Sequence, residues 1–116
     1  RVGEGFVELV ESDRESTPEA EQAVRDAVAV MLEHGADQIV LGCTHYPFLL
    51  PVLERVVAGR GVTVVDPSPA VARRVVQLLD RYGLHADPAH RAEYTFRTFA
   101  DEAYRLRLER KALGAL

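Results

Sequence analysis

The chain has 116 residues, with 14 Lys and Arg against 18 Asp and Glu and a net charge of −4. This length allows one small domain or pieces of two, and the mildly acidic balance disfavours general nucleic-acid binding, which needs clustered cations. The hydrophobic fraction of 47% argues against disorder, and the single cysteine excludes an internal disulfide. No apolar run approaches the roughly 20 residues of a membrane span.

The first half of the chain predicts two helices separated by a strand. The first helix covers residues 16–35, where Ser16-Thr17-Pro18-Glu19 is a start signal with a capping-box Glu and where apolar residues recur every three or four positions. A short apolar run over residues 37–42 predicts a strand buried on both faces. Residues 48–58 predict a second helix, in which Pro51 fits only in the first turn.

The second half continues the same alternation. Residues 62–66 predict another buried strand, and a helix follows over residues 68–82 with Ser68 as its cap. The alternating pattern over residues 94–99 predicts a third strand, and residues 101–113 predict a charged amphipathic helix. Helices that alternate with strands in this way indicate the α/β class with parallel strands.

The carboxyl ends of such strands are where α/β proteins bind ligands, and the first of them is rich in reactive side chains. It reads Gly42-Cys43-Thr44-His45-Tyr46-Pro47. Cys43 precedes a helix, and a helix N-terminus favours the thiolate form of cysteine. Thr44 and the N–H groups of the next turn could hold a carboxylate or phosphate, and His45 could exchange a proton with the same ligand.

The same residues are also compatible with purely structural roles. A lone cysteine at the end of a buried strand is often a small packed hydrophobe. A metal site is not expected, because the sequence has no CxxC or HxxxH spacing. The second strand end carries Asp66 and Ser68, and Ser68 is a better helix cap than nucleophile because no Gly-x-Ser-x-Gly segment surrounds it. The three remaining histidines are predicted to be solvated: His34, His85 and His90.

Three segments of the chain resemble glutamate racemases of the aspartate/glutamate racemase family. They are Gly42-Cys43-Thr44-His45-Tyr46-Pro47, Phe6-Val7-Glu8-Leu9-Val10-Glu11 and Val65-Asp66-Pro67-Ser68-Pro69-Ala70-Val71-Ala72. The resemblance implies a cofactor-independent bacterial isomerase of the cytoplasm, which interconverts L- and D-glutamate for peptidoglycan synthesis and cell shape. Two cysteines of such enzymes flank the substrate α-carbon, one removing the α-proton and the other reprotonating the opposite face.

Carried over by resemblance, each candidate residue has a role. Cys43 matches the second catalytic cysteine, and Thr44 and His45 match the adjoining substrate contacts. His45 is thought to assist Cys43, and Glu11 matches the carboxylate that supports that histidine. Many members have Ala-Cys-Pro-x-Phe where this chain has Val2-Gly3-Glu4-Gly5-Phe6, a departure that touches none of these positions.

The resemblance also implies that the chain is the carboxyl-terminal part of a two-lobed enzyme. The family's Asp-Ser-Gly and Pro-Tyr-Gly segments and its first cysteine, in Cys-Asn-Thr, have no counterpart in the sequence. The expected fold is a set of parallel-sheet, three-layer lobes present only in part. Residues 1–66 would belong to the second lobe and residues 67–116 would return to the first, with the amino-terminal half absent.

The expected partners are glutamate and the missing amino-terminal half of the same enzyme, with no nucleic acid, membrane, metal or cofactor. A homodimer is among the arrangements that the resemblance allows. The chain alone has one thiol and is therefore expected to be inactive. Two alternative functions remain open: an amidohydrolase with Cys43 as nucleophile and His45 as base, and a non-catalytic carboxylate-binding module with an inert Cys43.

Overall fold

The computed structural model describes residues 3–114, which contain five α-helices, one short 3₁₀ helix and two strands. In chain order these are α1 (Phe6–Glu11), α2 (Pro18–Glu33), β1 (Gln38–Val40), the 3₁₀ helix (Tyr46–Leu49), α3 (Leu50–Val57), β2 (Thr63–Val65), α4 (Ser68–Tyr82) and α5 (Glu102–Gly114). The chain divides into two units, one running to Ser68 and the other starting at Pro69. Within residues 3–114, no helix is long and apolar enough to cross a membrane.

Helix α2 forms where the sequence predicts it, with a different cap. The side chain of Thr17, not Ser16, accepts a hydrogen bond from the backbone N–H of Ala20, and Pro18 takes the first helical position. The expected capping-box carboxylate, Glu19, instead forms an ion pair with Arg14 at 2.8 Å. The helix ends at Glu33 with His34, not Gly35, as its C-cap. Gly35 follows directly, and its φ of 76° lies in the left-handed region that glycine adopts without a steric penalty.

The two strands pair in parallel, as the alternation of elements predicts. Ile39 of β1 lies opposite Val64 of β2, and helices α2 and α3 cover the core face of the sheet. The expectation that both faces are buried is wrong, because Val40 is 62% exposed. Side chains alternate between the faces of a strand, so Ile39 points into the core while Val40 points to a face that the described residues leave open.

The core of the first unit is built from the apolar faces of α1, α2, α3 and the 3₁₀ helix against β1. Its side chains are aliphatic except for one aromatic ring, that of Phe6. Helix α3 begins directly after the 3₁₀ helix, with Pro51 in its first turn as expected. The largest of the fully buried side chains are Leu49, Val10, Val24, Val28 and Val52.

The start of α4 differs in detail from the prediction. Ser68 is the first helical residue and the donor, since its backbone N–H and its hydroxyl both donate to Oδ1 of Asp66, at 2.9 and 2.6 Å. The hydroxyl bond and then the backbone bond lower the pKa of the Asp66 carboxyl. Asp66, rather than Ser68, therefore supplies the side-chain oxygen at this helix start.

The second unit consists of α4, α5 and the segment between them. The third strand predicted over residues 94–99 is wrong, because the only strand pairing among residues 3–114 joins β1 to β2. A strand needs a neighbour to satisfy its backbone groups, and Tyr94 and Phe99 are exposed instead. On α5, Arg105 bonds to Glu102 and Glu109, and the hydrogen bond from Arg105 lowers the pKa of Glu102.

Candidate active site

The loop that carries Cys43 follows directly from the end of β1. The backbone N–H of Leu41 donates to the carbonyl of Val65 at 3.0 Å, which extends the strand pairing by one residue. The backbone N–H of Tyr46 then donates to the carbonyl of Cys43 at 3.1 Å and closes a tight turn. Leu49, at the end of the 3₁₀ helix, is fully buried and holds the far side of the loop against the core.

Cys43 and His45 emerge on the same side of this turn. Cys43 is half-buried, so it is not sealed inside the apolar core. Its Sγ lies 3.9 Å from Nδ1 of His45, near the long end of hydrogen bonds to sulfur. The thiol and the imidazole are thus close enough to share a proton, directly or after a small movement.

Glu11 approaches His45 from the opposite side of the ring. Its Oε1 lies 3.2 Å from Nε2 of His45, although the two residues are 34 positions apart in the chain. The two side chains are only 28% and 29% exposed, so solvent screens this contact incompletely. The contact between Glu11 and His45 that the sequence analysis expects is therefore present.

The three side chains form one line of contacts that fixes the tautomer of the imidazole. An ionised carboxylate can only accept hydrogen bonds, so Nε2 of His45 donates to Glu11. In the neutral ring, Nδ1 then carries the lone pair, and it is this nitrogen that faces Cys43. The arrangement suits a histidine that takes a proton from the thiol or returns one to it.

Helix α1 places Glu11, and no helix was predicted for this segment. The helix starts after Gly5, whose φ of 76° is in the left-handed region, and it buries Phe6, Leu9 and Val10. Glu11 is its last residue. Apolar residues in adjacent pairs separated by Glu8 are the helical signal, but six residues are too few to establish a period.

Tyr46 is a residue of the site that sequence reasoning did not single out. Its hydroxyl oxygen accepts a hydrogen bond from the backbone N–H of Gly3 at 3.1 Å. Its ring meets the ring of Phe6 edge to face, with centroids 5.5 Å apart. The signal that could have found it is the aromatic residue directly after His45, combined with Phe6 at the start of the segment that carries Glu11.

The remaining candidates lie apart from this line of contacts. Thr44 is exposed next to Cys43. Asp66 follows β2 and therefore lies at the same sheet edge as the Cys43 loop, with its carboxylate bonded to Ser68. The three histidines outside the site are exposed as predicted: His34, His85 and His90. Within residues 3–114, no group of three or more His, Cys, Asp or Glu side chains is arranged to hold a metal ion.

A cleft of about 170 Å³ is lined by residues of α1, α2, β1 and α3, together with Tyr46. Its lining is largely apolar and includes Phe6, Met31 and Val40. Cys43, His45 and Glu11 are not part of this lining. The cleft is therefore not the place where the thiol and the imidazole meet.

Comparison with known proteins agrees with this geometry. Residues 1–75 match the family model described as Asp/Glu/Hydantoin racemase. A glutamate racemase from Desulforudis audaxviator is 49% identical over 82 residues, which are 71% of this chain and 30% of that protein. One from Deinococcus radiodurans is 40% identical over 103 residues, which are 89% of this chain and 35% of that protein. The chain thus spans about a third of the length of the curated relatives it matches.

Solved structures show the same likeness. A glutamate racemase isoform from Bacillus anthracis superposes with a TM-score of 0.79 at 25% identity, covering 97% of this chain and 41% of that one. The glutamate racemase from Thermus thermophilus, solved in complex with beta-chloro-D-alanine, gives a TM-score of 0.68 at 33% identity, covering 91% of this chain and 40% of that one. These matches confirm the α/β fold class, with parallel strands and only part of the family's structure. The chain belongs to the Asp/Glu/Hydantoin racemase family.

Proposed function

We propose that the chain is the carboxyl-terminal part of a glutamate racemase, in which Cys43 is one of two acid–base cysteines. The observation that carries the proposal is the line of contacts from Glu11 through His45 to Cys43. It lies within the segment that matches the family model. The substrate is proposed from the relatives, whose names specify glutamate.

The chemistry follows from the atoms that meet at the loop. Inversion at the α-carbon requires a base on one face and an acid on the opposite face. As thiolate, Cys43 takes the α-proton, and the electron pair of the C–H bond stays on the substrate as a carbanion. In the reverse direction, the Cys43 thiol gives its proton to that carbanion and becomes a thiolate. The cysteine on the opposite face comes from the amino-terminal half, since the chain has a single cysteine.

His45 and Glu11 have supporting parts in this proposal. With Nε2–H bonded to Glu11, the lone pair of Nδ1 faces the thiol and can hold its proton between turnovers. His45 and exposed Thr44 are also proposed to contact the substrate carboxylate. The reaction is proposed to need no cofactor, because the thiols and the imidazole supply the proton transfers.

The proposal also covers the lobes of the complete enzyme and its role in the cell. The two units, which divide at Ser68, are proposed to be parts of the second lobe and of the first lobe of the complete enzyme. The complete enzyme is proposed to act in the cytoplasm and to supply D-glutamate for peptidoglycan. Its partners are then glutamate and the amino-terminal half that completes the site.

A chimera tests this function in a complete enzyme. The matching 82 residues of the Desulforudis audaxviator relative are replaced by those of this chain, at 49% identity. The purified chimera is incubated with L-glutamate, and D-glutamate is measured by chiral chromatography. In D₂O, the D-glutamate formed should carry deuterium at the α-carbon. A chimera that is folded by circular dichroism but forms no D-glutamate would contradict the proposal.

The matched variant in this chimera is Cys43→Ser, which nearly preserves volume but removes the ionisable thiol. We expect kcat to fall by about 10²–10⁴-fold, the usual contribution of a positioned acid–base group, with KM little changed. An amidohydrolase would instead accumulate a thioester adduct on Cys43, visible as a mass increase after acid quenching. A binding module would show neither turnover nor an adduct.

A further inference from the structure

We propose that Tyr46 is a positioning residue of this site, which clamps α1 against the Cys43–His45 loop and thereby holds Glu11 on His45. A role of Tyr46 in catalysis rests on the proposed function, whereas the contacts of the clamp lie within the first unit and do not depend on that function. The geometry that carries it is a pair of neighbouring contacts. The two ends of α1 meet consecutive residues of the loop: Phe6 meets Tyr46, and Glu11 meets His45.

The contacts of Tyr46 fix the amino end of α1. The Tyr46 hydroxyl accepts a hydrogen bond from the Gly3 backbone N–H at 3.1 Å, and the carbonyl of Gly3 accepts from the N–H of Phe6 at 3.2 Å. The Phe6 ring lies edge to face on the Tyr46 ring, with an interplanar angle of 70°. Phe6 is 5% exposed, so this aromatic pair is part of the core and not a surface contact.

Helix α1 needs such a clamp because it is short. Six residues lie well below the length at which a helix is stable in water by itself. Its direction is therefore set by what its ends and its apolar face touch. With a rise of about 1.5 Å per residue, Phe6 and Glu11 are about 7.5 Å apart along the axis. A tilt of the Phe6 end would thus move the Glu11 carboxylate away from His45.

Gly3 gives a second way to disturb the same contact. A Cβ atom at this position would overlap the Phe6 ring, including Cε2 at 2.8 Å. Phe6 is a large and buried ring, so it cannot turn away into solvent without leaving Tyr46. Gly3→Ala should therefore push the amino end of α1 off the loop while leaving Tyr46 and Glu11 chemically intact.

The test uses the full 116-residue chain and reads out His45 and Cys43 separately. The ring ¹⁵N chemical shifts of His45 distinguish the two neutral tautomers and give the fraction of the Nε2–H form. The second-order rate of Cys43 alkylation by iodoacetamide reports how well Nδ1 faces the thiol. Circular dichroism checks whether each variant is folded. The variants are Tyr46→Leu, Tyr46→Phe, Gly3→Ala, Glu11→Gln, the Tyr46→Leu/Glu11→Gln pair and Val57→Ala.

We expect Tyr46→Leu and Glu11→Gln each to lower the Nε2–H fraction and to slow alkylation by about threefold or more, as when a partly exposed hydrogen bond to a charged group is lost. The double variant should be no slower than Glu11→Gln alone, because both changes break one contact. Tyr46→Phe keeps the ring pair, so its Nε2–H fraction and its alkylation rate should stay close to those of the wild-type chain. Val57→Ala opens the core at the far end of α3, where Val57 is 5% exposed, and should leave both readouts unchanged.

A folded Tyr46→Leu variant with the wild-type tautomer and alkylation rate would overturn the proposal, as would additive effects in the double variant. If Tyr46→Leu does not fold, Gly3→Ala decides: a change in the same direction supports the clamp, and no change overturns it. None of these readouts measures racemisation. The clamp can therefore be refuted although the chimera racemises glutamate, and it can be supported although the chimera does not.

Discussion

Leu49 offers the sharpest test of how the loop of the site is held to the core. It is fully buried, and it ends the 3₁₀ helix that follows His45. Leu49→Ala removes three carbon atoms from a site where the neighbouring core side chains are packed around it. Buried Leu→Ala changes cost about 2–5 kcal/mol, because the lost burial adds to the cavity left behind. Domains of this size are stable by about 5–15 kcal/mol, so the change is a large fraction of the total.

The assay is equilibrium unfolding in urea, followed by far-ultraviolet circular dichroism and by tyrosine fluorescence, since the chain has no tryptophan. The matched control is Leu84→Ala, which makes the same chemical change at a side chain that is 66% exposed. An exposed substitution of this kind should change the free energy of unfolding by less than about 0.5 kcal/mol. Cys43 alkylation measured on the same samples shows whether the loop loosens with the core.

The result that would refute the reasoning is a Leu49→Ala variant within about 1 kcal/mol of wild type, at unchanged dependence on urea. Such a result would mean that the core collapses freely around residue 49 and that Leu49 does not hold the loop. Equal losses for Leu49→Ala and Leu84→Ala would be just as damaging. The burial of a leucine would then not determine how much its side chain contributes to the free energy of unfolding.

Three further predictions concern different parts of the chain. Gly35→Ala should cost about 1 kcal/mol in urea unfolding, because φ is 76° at this position and L-residues are strained there; an unchanged midpoint would contradict the helix end described above. Ser68→Ala should raise the pKa of Asp66 toward its ordinary value, which ¹³C NMR of the carboxyl in both proteins checks. In the wild-type chain, the stabilisation from this contact should be complete above the ordinary pKa of aspartate and should vanish as the pH falls through the lowered pKa of the folded state. The 116-residue chain alone should form no D-glutamate from L-glutamate in a chiral assay, since Cys43 supplies a group for one face of the α-carbon only, and turnover like that of a complete racemase would exclude the two-thiol reaction.

The long helices and the parallel strands were predictable because their signals are local. A cap, a proline in the first turn and a glycine at the end define α2, although neighbouring Ser16 and Thr17 made the capping residue ambiguous. The strand predicted over residues 94–99 failed for a different reason. Alternation of apolar and polar side chains favours a strand, but a strand also needs a paired neighbour, and sequence pattern carries no information on that.

The site was predictable as a set of residue types and not as a geometry. The order Cys43-Thr44-His45 after an apolar run indicates proton chemistry at a strand end, and the resemblance adds Glu11. The approach of Glu11 to His45 depends on α1, whose six residues are too few to show a helical period. The sequence shows aromatic residues at Phe6 and Tyr46, but spacing alone does not show that their rings meet edge to face or that the Tyr46 hydroxyl bonds to a backbone N–H.

The separation of 34 residues between Glu11 and His45 has a consequence for folding. Contacts between residues far apart in sequence carry the entropy of closing a loop, so they form only once packing elsewhere rewards that closure. Cys43 and His45, two residues apart, are neighbours in any conformation, but the carboxylate joins them only after α2 and β1 have brought α1 to the loop. We therefore expect Glu11 to reach His45 late in folding, after Cys43 and His45 are already neighbours. A short pulse of an alkylating reagent, applied at different times during refolding, would show when the reactivity of Cys43 reaches its value in the folded chain.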